Sequence, residues 1–288
     1  MRFIGIRKYI YIFSLLIIIP GIISLFWPGR PALNYGLDFK GGSMIDLKFQ
    51  KPVAANDIRG VLAQDEFRLD KEAVIQKAGD NEYLVRTKEL KQAENEKLIN
   101  AIKDKFGKVE ILRNDKVGAS FSDELKWKAL MCVALACIFM LAYIWVRFEF
   151  KFGVSSVLAL FHDVFIVIGV FSIFQIEVDS SFVAAILTIL GYSIMDTIVV
   201  FDRIRENMAF RRKEPLDVIV DKSILQTLNR SINTVLTVVF TLVALLVFGG
   251  ATLQTFILAL LIGVLSGCYS SIFVASPIWY DLKVMEEN

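Results

Sequence analysis

Six stretches of this chain are apolar and long enough to cross a lipid bilayer, and they limit its folds before any motif is considered. A run of about 18 or more apolar residues reads as a spanning helix, because about 20 residues at about 1.5 Å rise cross the hydrocarbon core. The runs are roughly Tyr9–Trp27, Ala129–Val146, Val154–Ile176, Phe182–Phe201, Ile232–Phe248 and Leu253–Trp279. The last is long enough that it either tilts or frays near Pro277. Hydrophobic residues make up 55% of the chain and charged ones 22%, and the charges sit in blocks between the runs. That pattern excludes a soluble globular enzyme, a disordered chain and a nucleic-acid binder with a basic face. With 32 Lys and Arg against 30 Asp and Glu, the net charge of +2 at pH 7 says little about partners. Cys132, Cys137 and Cys268 all lie inside apolar runs and read as small hydrophobes, with no disulfide framework or zinc site.

Loop charges set an expected orientation, because short cytoplasmic loops carry the excess of Lys and Arg. The N-terminal tail has Arg2, Arg7 and Lys8, and the second-to-third connection has Arg147 and Lys151. The fourth-to-fifth connection has Arg203, Arg205, Arg211, Arg212, Lys213 and Lys222. The alternate loops, Gln175–Ser181 and Gly249–Thr252, have no basic residue. Both termini are therefore expected in the cytoplasm. The first run is read as an uncleaved span, since it outlasts a signal-peptide core and no small-x-small site follows it. The expected division is residues 1–27 for the N-terminus and first span, 28–125 for an extracytoplasmic domain, and 126–288 for a five-helix membrane domain with a cytoplasmic loop at 202–225.

The outer segment alternates where strands are expected. Ile45, Leu47 and Phe49 alternate with Asp46 and Lys48, and Glu72–Gln76 and Glu82–Thr87 flank a turn at Gly79, Asp80 and Asn81. Ala54–Gln64 and Leu90–Phe106 carry helical apolar faces, Gly107 is a stop, and Lys108–Val117 reads as a last strand. The order β-α-β-β-α-β predicts a ferredoxin-like α+β domain between the first two spans. Such a fold argues no activity by itself. Before it, Gly36-Leu37-Asp38-Phe39-Lys40-Gly41-Gly42 holds paired glycines, which permit positive φ or close backbone approach. On local grounds this is as readily a simple turn as a functional motif.

Ionisable groups at membrane depth are expensive and usually face a bundle interior. His162 and Asp163 fall near the middle of the third span, Asp196 in the second half of the fourth, and Asp202 and Arg203 at its end. Arg230 lies just before the fifth span or in its first turns. A helix starting near Leu225 would bring it level with Asp196, and one starting at Ile232 would require the side chain to reach inward. Arg230, Asn233 with Thr234, Thr237 and Thr241 recur every three or four residues on one face. Gly263, Gly267, Ser271 and Ala275 place a small residue on every turn of the sixth span, a face for close helix packing. Two readings of Asp196 stay open: a structural hydrogen bond, or a titrating carboxyl poised between burial and a nearby Arg. Asp163 is comparable but has no defined partner, and a single His beside it reads first as a packing hydrogen bonder. A Ser193–His162 protease fails because Gly191-Tyr192-Ser193-Ile194 lacks the closing glycine of a strained nucleophile turn. A two-aspartate protease from Asp163 and Asp196 lacks a glycine beside Asp196.

These residues carry a family resemblance. The Gly36–Gly42 stretch resembles the G-x-D-F-x-G-G signature of the SecD/SecF family, with Gly36, Asp38, Phe39, Gly41 and Gly42 at the matching positions. Residues Gly191–Asn207, including Tyr192, Asp196, Asp202 and Arg203, resemble the fourth-span signature of its SecF members. Leu228–Thr234, Leu158–Val164 and the small-residue run of the sixth span also match, in the expected order. The resemblance implies six spans forming half of an assembly in the resistance-nodulation-division superfamily, in the bacterial cytoplasmic membrane. It implies pairing with SecD, association with the SecYEG channel, the motor SecA and YidC, and unfolded preproteins as substrate, with lipid around and no nucleic acid. The coupling ion would be the proton, with no other cofactor and no metal. Asp196, Arg230 and Asp163 become proton-relay candidates, supported by Thr197, Asn233, Thr234 and Thr237. One departure is Met195, where the family usually has Asn; Met offers no donor. A passive scaffold and half of a lipid or drug exporter are the alternatives, and the exporter would need a large apolar pocket in the outer domain.

Overall fold

The structure is a computed structural model and describes residues 2–64, 67, 69, 73–210, 214–250 and 253–287. Glu72 of the expected strand, Arg211, Arg212 and Lys213 of the basic connection, and Ala251 and Thr252 lie outside the described residues. In chain order the main elements are α1 (Arg7–Leu25), β1 (Gly42–Phe49), α2 (Ala55–Leu62), β2 (Val74–Gly79), β3 (Glu82–Thr87), α3 (Gln92–Phe106) and β4 (Val109–Val117), followed by α4 (Ala119–Arg147), α5 (Phe150–Phe174), α6 (Ser180–Phe210), α7 (Leu216–Phe248), α8 (Gln254–Ser270), a π-helical turn (Ser271–Ala275) and α9 (Ser276–Glu287). They fall into two compact units, Tyr35–Ala129 and Met1–Asn34 with Leu130–Asn288.

In the unit Tyr35–Ala129, four antiparallel strands run in the order β2-β3-β1-β4. Alternation puts Ile45, Leu47 and Phe49 inward, and Ile45 opposes Val85 while Leu47 opposes Tyr83. Two helices cover that face, with Ile58, Val61 and Leu62 of α2 and Leu98 and Ile102 of α3 wholly buried. Each such side chain contributes about 1.5–3 kcal/mol by leaving water. Glu94 starts α3 by accepting from the Lys91 N–H at 2.9 Å, and Gly107 ends it at φ 80°. The glycine pair has a geometric reason. A single helical turn, Leu37–Lys40, is broken by Gly41 at φ 73° and Gly42 at φ 131°, and a Cβ on Gly42 would lie 2.5 Å from the Thr87 carbonyl oxygen. Only glycine fits where β1 starts against β3.

The other unit contains the membrane-length helices. Six are long and apolar enough to span: Ile4–Leu25, Ser120–Arg147, Phe150–Phe174, Ser180–Phe210, Leu216–Phe248 and Gln254–Glu286. The helices overrun the apolar runs, most of all the fifth, which starts at Leu216 rather than Ile232 and carries Arg230 well inside it. The last span neither breaks nor frays at Pro277. It continues through the π-helical turn Ser271–Ala275 into α9, and the wider turn accommodates the ring that would crowd an α-helical carbonyl four residues back.

Burial ranks these helices. Within their most apolar windows, 61% of the last span and 44% of α5 and of α6 are buried, against 6% for the span in α4 and 17% for that in α7. The interior therefore lies among α5, α6 and α8, and small residues set their spacing. A Cβ on Gly263 would meet Ile189 of α6 at 2.3 Å, and one on Gly267 would meet Ser193 at 3.0 Å. On the other side, α1 crosses α5 so closely that a Cβ on Gly21 would lie 2.7 Å from the Gly169 Cα.

Candidate functional site

Asp163 of α5 is fully buried, and its carboxyl group is surrounded by donors from three helices. Ser266 of α8 donates to Oδ1 at 2.6 Å, with His162 Nδ1 3.1 Å from the same oxygen. Ser193 of α6 donates to Oδ2 at 2.6 Å and Ser270 of α8 at 2.7 Å. A carboxylate has about four acceptor sites, so these four partners fill it. The chain of donors extends to α1. With Nδ1–H turned to Asp163, His162 Nε2 accepts from Ser14 at 3.2 Å, and the Tyr269 hydroxyl lies 3.0 Å from the Ser14 oxygen. Ser193 therefore serves Asp163 and does not pair with His162.

Asp196 of α6 is only half-buried. Ser231 of α7 donates to Oδ1 at 2.6 Å and Ser271 to Oδ2 at 2.5 Å. Its remaining acceptor positions adjoin a small cavity of about 60 Å³ lined by Tyr192, Met195, Asp196, Val199, Arg230, Thr234 and Val235. That volume admits water. Because α7 begins at Leu216, Arg230 reaches the cavity from a helical position and shares it with Asp196, without forming an ion pair with it among the described residues. Met195, 48% exposed, lines the same cavity, so the departure from the usual Asn falls directly beside the acid.

The other sequence-selected residues divide. Tyr192 donates to the Thr234 carbonyl at 3.4 Å, which places α6 against α7. Thr197 is buried but bonds back to Ser193 O at 3.1 Å, and Thr234 and Thr237 likewise bond their own helix at 2.8 Å. Asn233 and Thr237 face outward from this chain. Gly191 has open space at its Cβ position. Asp202 pairs with Arg205 at 3.0 Å, and Arg203 bonds Gln226 of α7 and Glu206, both at 2.6 Å. Gly36, Asp38 and Phe39 belong to the other unit, where Phe39 is buried. Sequence reasoning missed Ser193, Ser266, Ser270 and Ser231 as ligands of the acids, and read Ser271 only as a packing residue. The available signal was the pair Ser266 and Ser270, one turn apart in an otherwise apolar helix.

Six membrane-length helices, with two acids held by hydroxyls among α5, α6, α7 and the last span, define a multi-pass helical membrane protein with a polar site in its interior. Comparison with known proteins narrows this class. Residues 97–285 match the family described as protein export membrane protein SecD/SecF, C-terminal, and residues 27–53 match the SecD/SecF GG motif. The chain is 42% identical to the protein translocase subunit SecF of Sebaldella termitidis over 96% of its length and 90% of that protein. It is 43% identical to the SecF of Thermobaculum terrenum over 94% and 90%. A crystal structure of SecDF, a translocon-associated membrane protein from Thermus thermophilus, superposes with TM-score 0.88 at 37% identity, covering 99% of this chain and 39% of that one. The chain belongs to the SecD/SecF family of protein-export membrane proteins, among its SecF translocase subunits. It is a multi-pass protein of the cell membrane, and the relatives it matches are translocase subunits rather than known enzymes.

Proposed function

We propose that this chain acts with a SecD-type partner as a proton-driven auxiliary subunit of the Sec translocase, promoting secretion of unfolded preproteins across the bacterial cytoplasmic membrane. SecYEG, SecA and YidC are its expected associates. Both termini lie in the cytoplasm, and the unit with the β-α-β-β-α-β order is a ferredoxin-like extracytoplasmic domain. Support for the partner comes from the SecDF structure, of which this chain spans 39%.

The observation that carries the proton reading is the unfilled coordination of Asp196 beside a water-sized cavity that also holds Arg230. A proton arriving from the outer side neutralises Asp196, weakens its attraction to Arg230 and loosens the Ser231 and Ser271 bonds, and release inward restores them. The energy is adequate: one charge crossing 100 mV releases about 2.3 kcal/mol, and about 1.4 kcal/mol is a tenfold population change. The outer domain follows the repacking of α6, α7 and α8 and holds the emerging chain. Asp196→Asn is expected to abolish potential-dependent stimulation of secretion while the complex still assembles. Full stimulation in that variant would remove Asp196 from the mechanism, and loss of assembly would favour the scaffold reading. The exporter reading fares worse: a hollow of about 640 Å³ in the unit Tyr35–Ala129 carries Lys48, Lys103, Lys108 and Glu110 in its lining beside Phe49 and Val109, a mixed lining rather than an apolar pocket.

A further inference from the structure

Ser270 and Ser271 are neighbours in sequence yet bond acids on two different helices. Ser270 donates to Asp163 of α5 at 2.7 Å, and Ser271 donates to Asp196 of α6 at 2.5 Å. Consecutive helical residues point about 100° apart, so the last span lies between α5 and α6 with one hydroxyl turned toward each acid. The pair sits where α8 passes into the π-helical turn, a geometry that recurs at functional sites. Each hydroxyl has one proton and a second acceptor on its own helix, Gly267 O at 3.3 Å for Ser270 and Cys268 O at 3.2 Å for Ser271. A charged carboxylate outcompetes a carbonyl for that proton, and a neutral one does so much less. Ser276 donates to the Ser271 carbonyl at 3.0 Å, so the Ser271 peptide is tied to the start of α9. The titratable groups beside the two acids are His162 on α5, Tyr192 on α6, Arg230 on α7 and Cys268 on α8, with Tyr269 of α8 one step away against His162 and Ser14.

We propose that Ser270 and Ser271 are positioning residues that link Asp163 and Asp196, so that a change of charge at Asp196 is transmitted through the π-helical seam to the hydrogen bonds of Asp163. This rests on the proton reading of Asp196. When Asp196 takes up a proton, Ser271 turns to the Cys268 carbonyl, the seam shifts, and the hold of Ser270 on Asp163 changes with it. The helix that carries both serines is then the element that moves.

The test is an infrared titration of the assembled complex in membranes, with the Asp196 carboxyl band assigned by its loss in Asp196→Asn. Ser270→Ala removes no contact to Asp196, yet it is expected to displace the titration of that band by about twofold or more in proton concentration, and to be non-additive with Ser271→Ala. Ser270→Thr, which keeps the hydroxyl, is expected to restore the wild-type titration. Ser270→Cys, near in size and a weak donor, gives the same reading if the alanine variant does not assemble. A normal Asp196 titration in Ser270→Ala and Ser270→Cys overturns the linkage while leaving the proton reading intact. Absence of any titrating Asp196 band in the wild type overturns the proton reading and the linkage with it.

Discussion

Asp163 and Asp196 face the same helix and differ in how completely they are bonded. Asp163 has four partners from α5, α6 and α8 and no exposure. Among the described residues, Asp196 has two hydroxyl partners, and it adjoins a cavity that Arg230 also lines. A carboxylate whose acceptor positions are filled from three helices ties them together, and exchanging its proton would break several bonds at once. A partly bonded carboxylate beside a cavity that admits water has fewer bonds to break when its proton exchanges. The lesson is that an acid in a membrane span is judged by its unfilled acceptor positions, not by its burial alone.

Substitutions can break this comparison. The largest stability loss is expected for Asp163→Ala, which strands three buried hydroxyls and His162. It is expected to cost about 3 kcal/mol or more, since each stranded buried donor costs about 1–3 kcal/mol, read by thermal unfolding in detergent, and a loss below about 1 kcal/mol would put Asp163 outside the structural centre. Next comes Gly169→Val, whose Cβ would lie 2.9 Å from the Gly21 Cα. Forcing α1 from α5 is expected to cost about 1–3 kcal/mol and to break the His162–Ser14 bond. Around Asp196 the pattern reverses. Arg230→Ala and Met195→Asn are expected to change stability by about 0.5 kcal/mol or less, with opposite effects on potential-dependent secretion. The alanine lowers it by removing the charge partner, and the asparagine raises it by adding hydrogen-bonding capacity to the cavity.

The smallest expected effect lies in the unit Tyr35–Ala129 and sharpens the contrast by showing an acid with neither role. Burial, with the Glu82 carboxylate close by, pushes the Asp46 carboxyl above the ordinary carboxylate range, and Arg113 partly offsets this. A raised folded-state value means the contribution of Asp46 is fully present below its unfolded value of about 3.9 and is lost as pH rises through the folded one. The protection of β1 amides, measured against their intrinsic exchange rates at each pH, is therefore expected to fall slightly from acidic to neutral pH. Asp46→Asn should flatten that dependence.

Much of this architecture is legible in the sequence. The six spans follow from hydropathy, and β3 at Glu82–Thr87 and β4 at Val109–Val117 fall where alternation predicts them. The glycine pair was legible as a motif but not as a close approach to Thr87, which belongs to a strand forty-odd residues on. The start of α7 was not legible, because Gln226, Asn229 and Arg230 lower hydropathy without stopping a helix. The ligands of Asp163 were the least legible part. Ser193, Ser266 and Ser270 are ordinary small residues in apolar helices, and only packing brings them to one carboxylate. Asp196 was found because it stands alone in an apolar run. Its serine partners were not, since Ser231 and Ser271 lie 35 and 75 residues away in sequence.

The most direct measurement is a pH titration of the carboxyl infrared bands of the assembled, membrane-embedded complex, comparing the wild type with Asp196→Asn. The account predicts one band that appears and disappears with pH and is absent from the variant. A spectrum in which Asp196→Asn leaves every titrating band in place would contradict it.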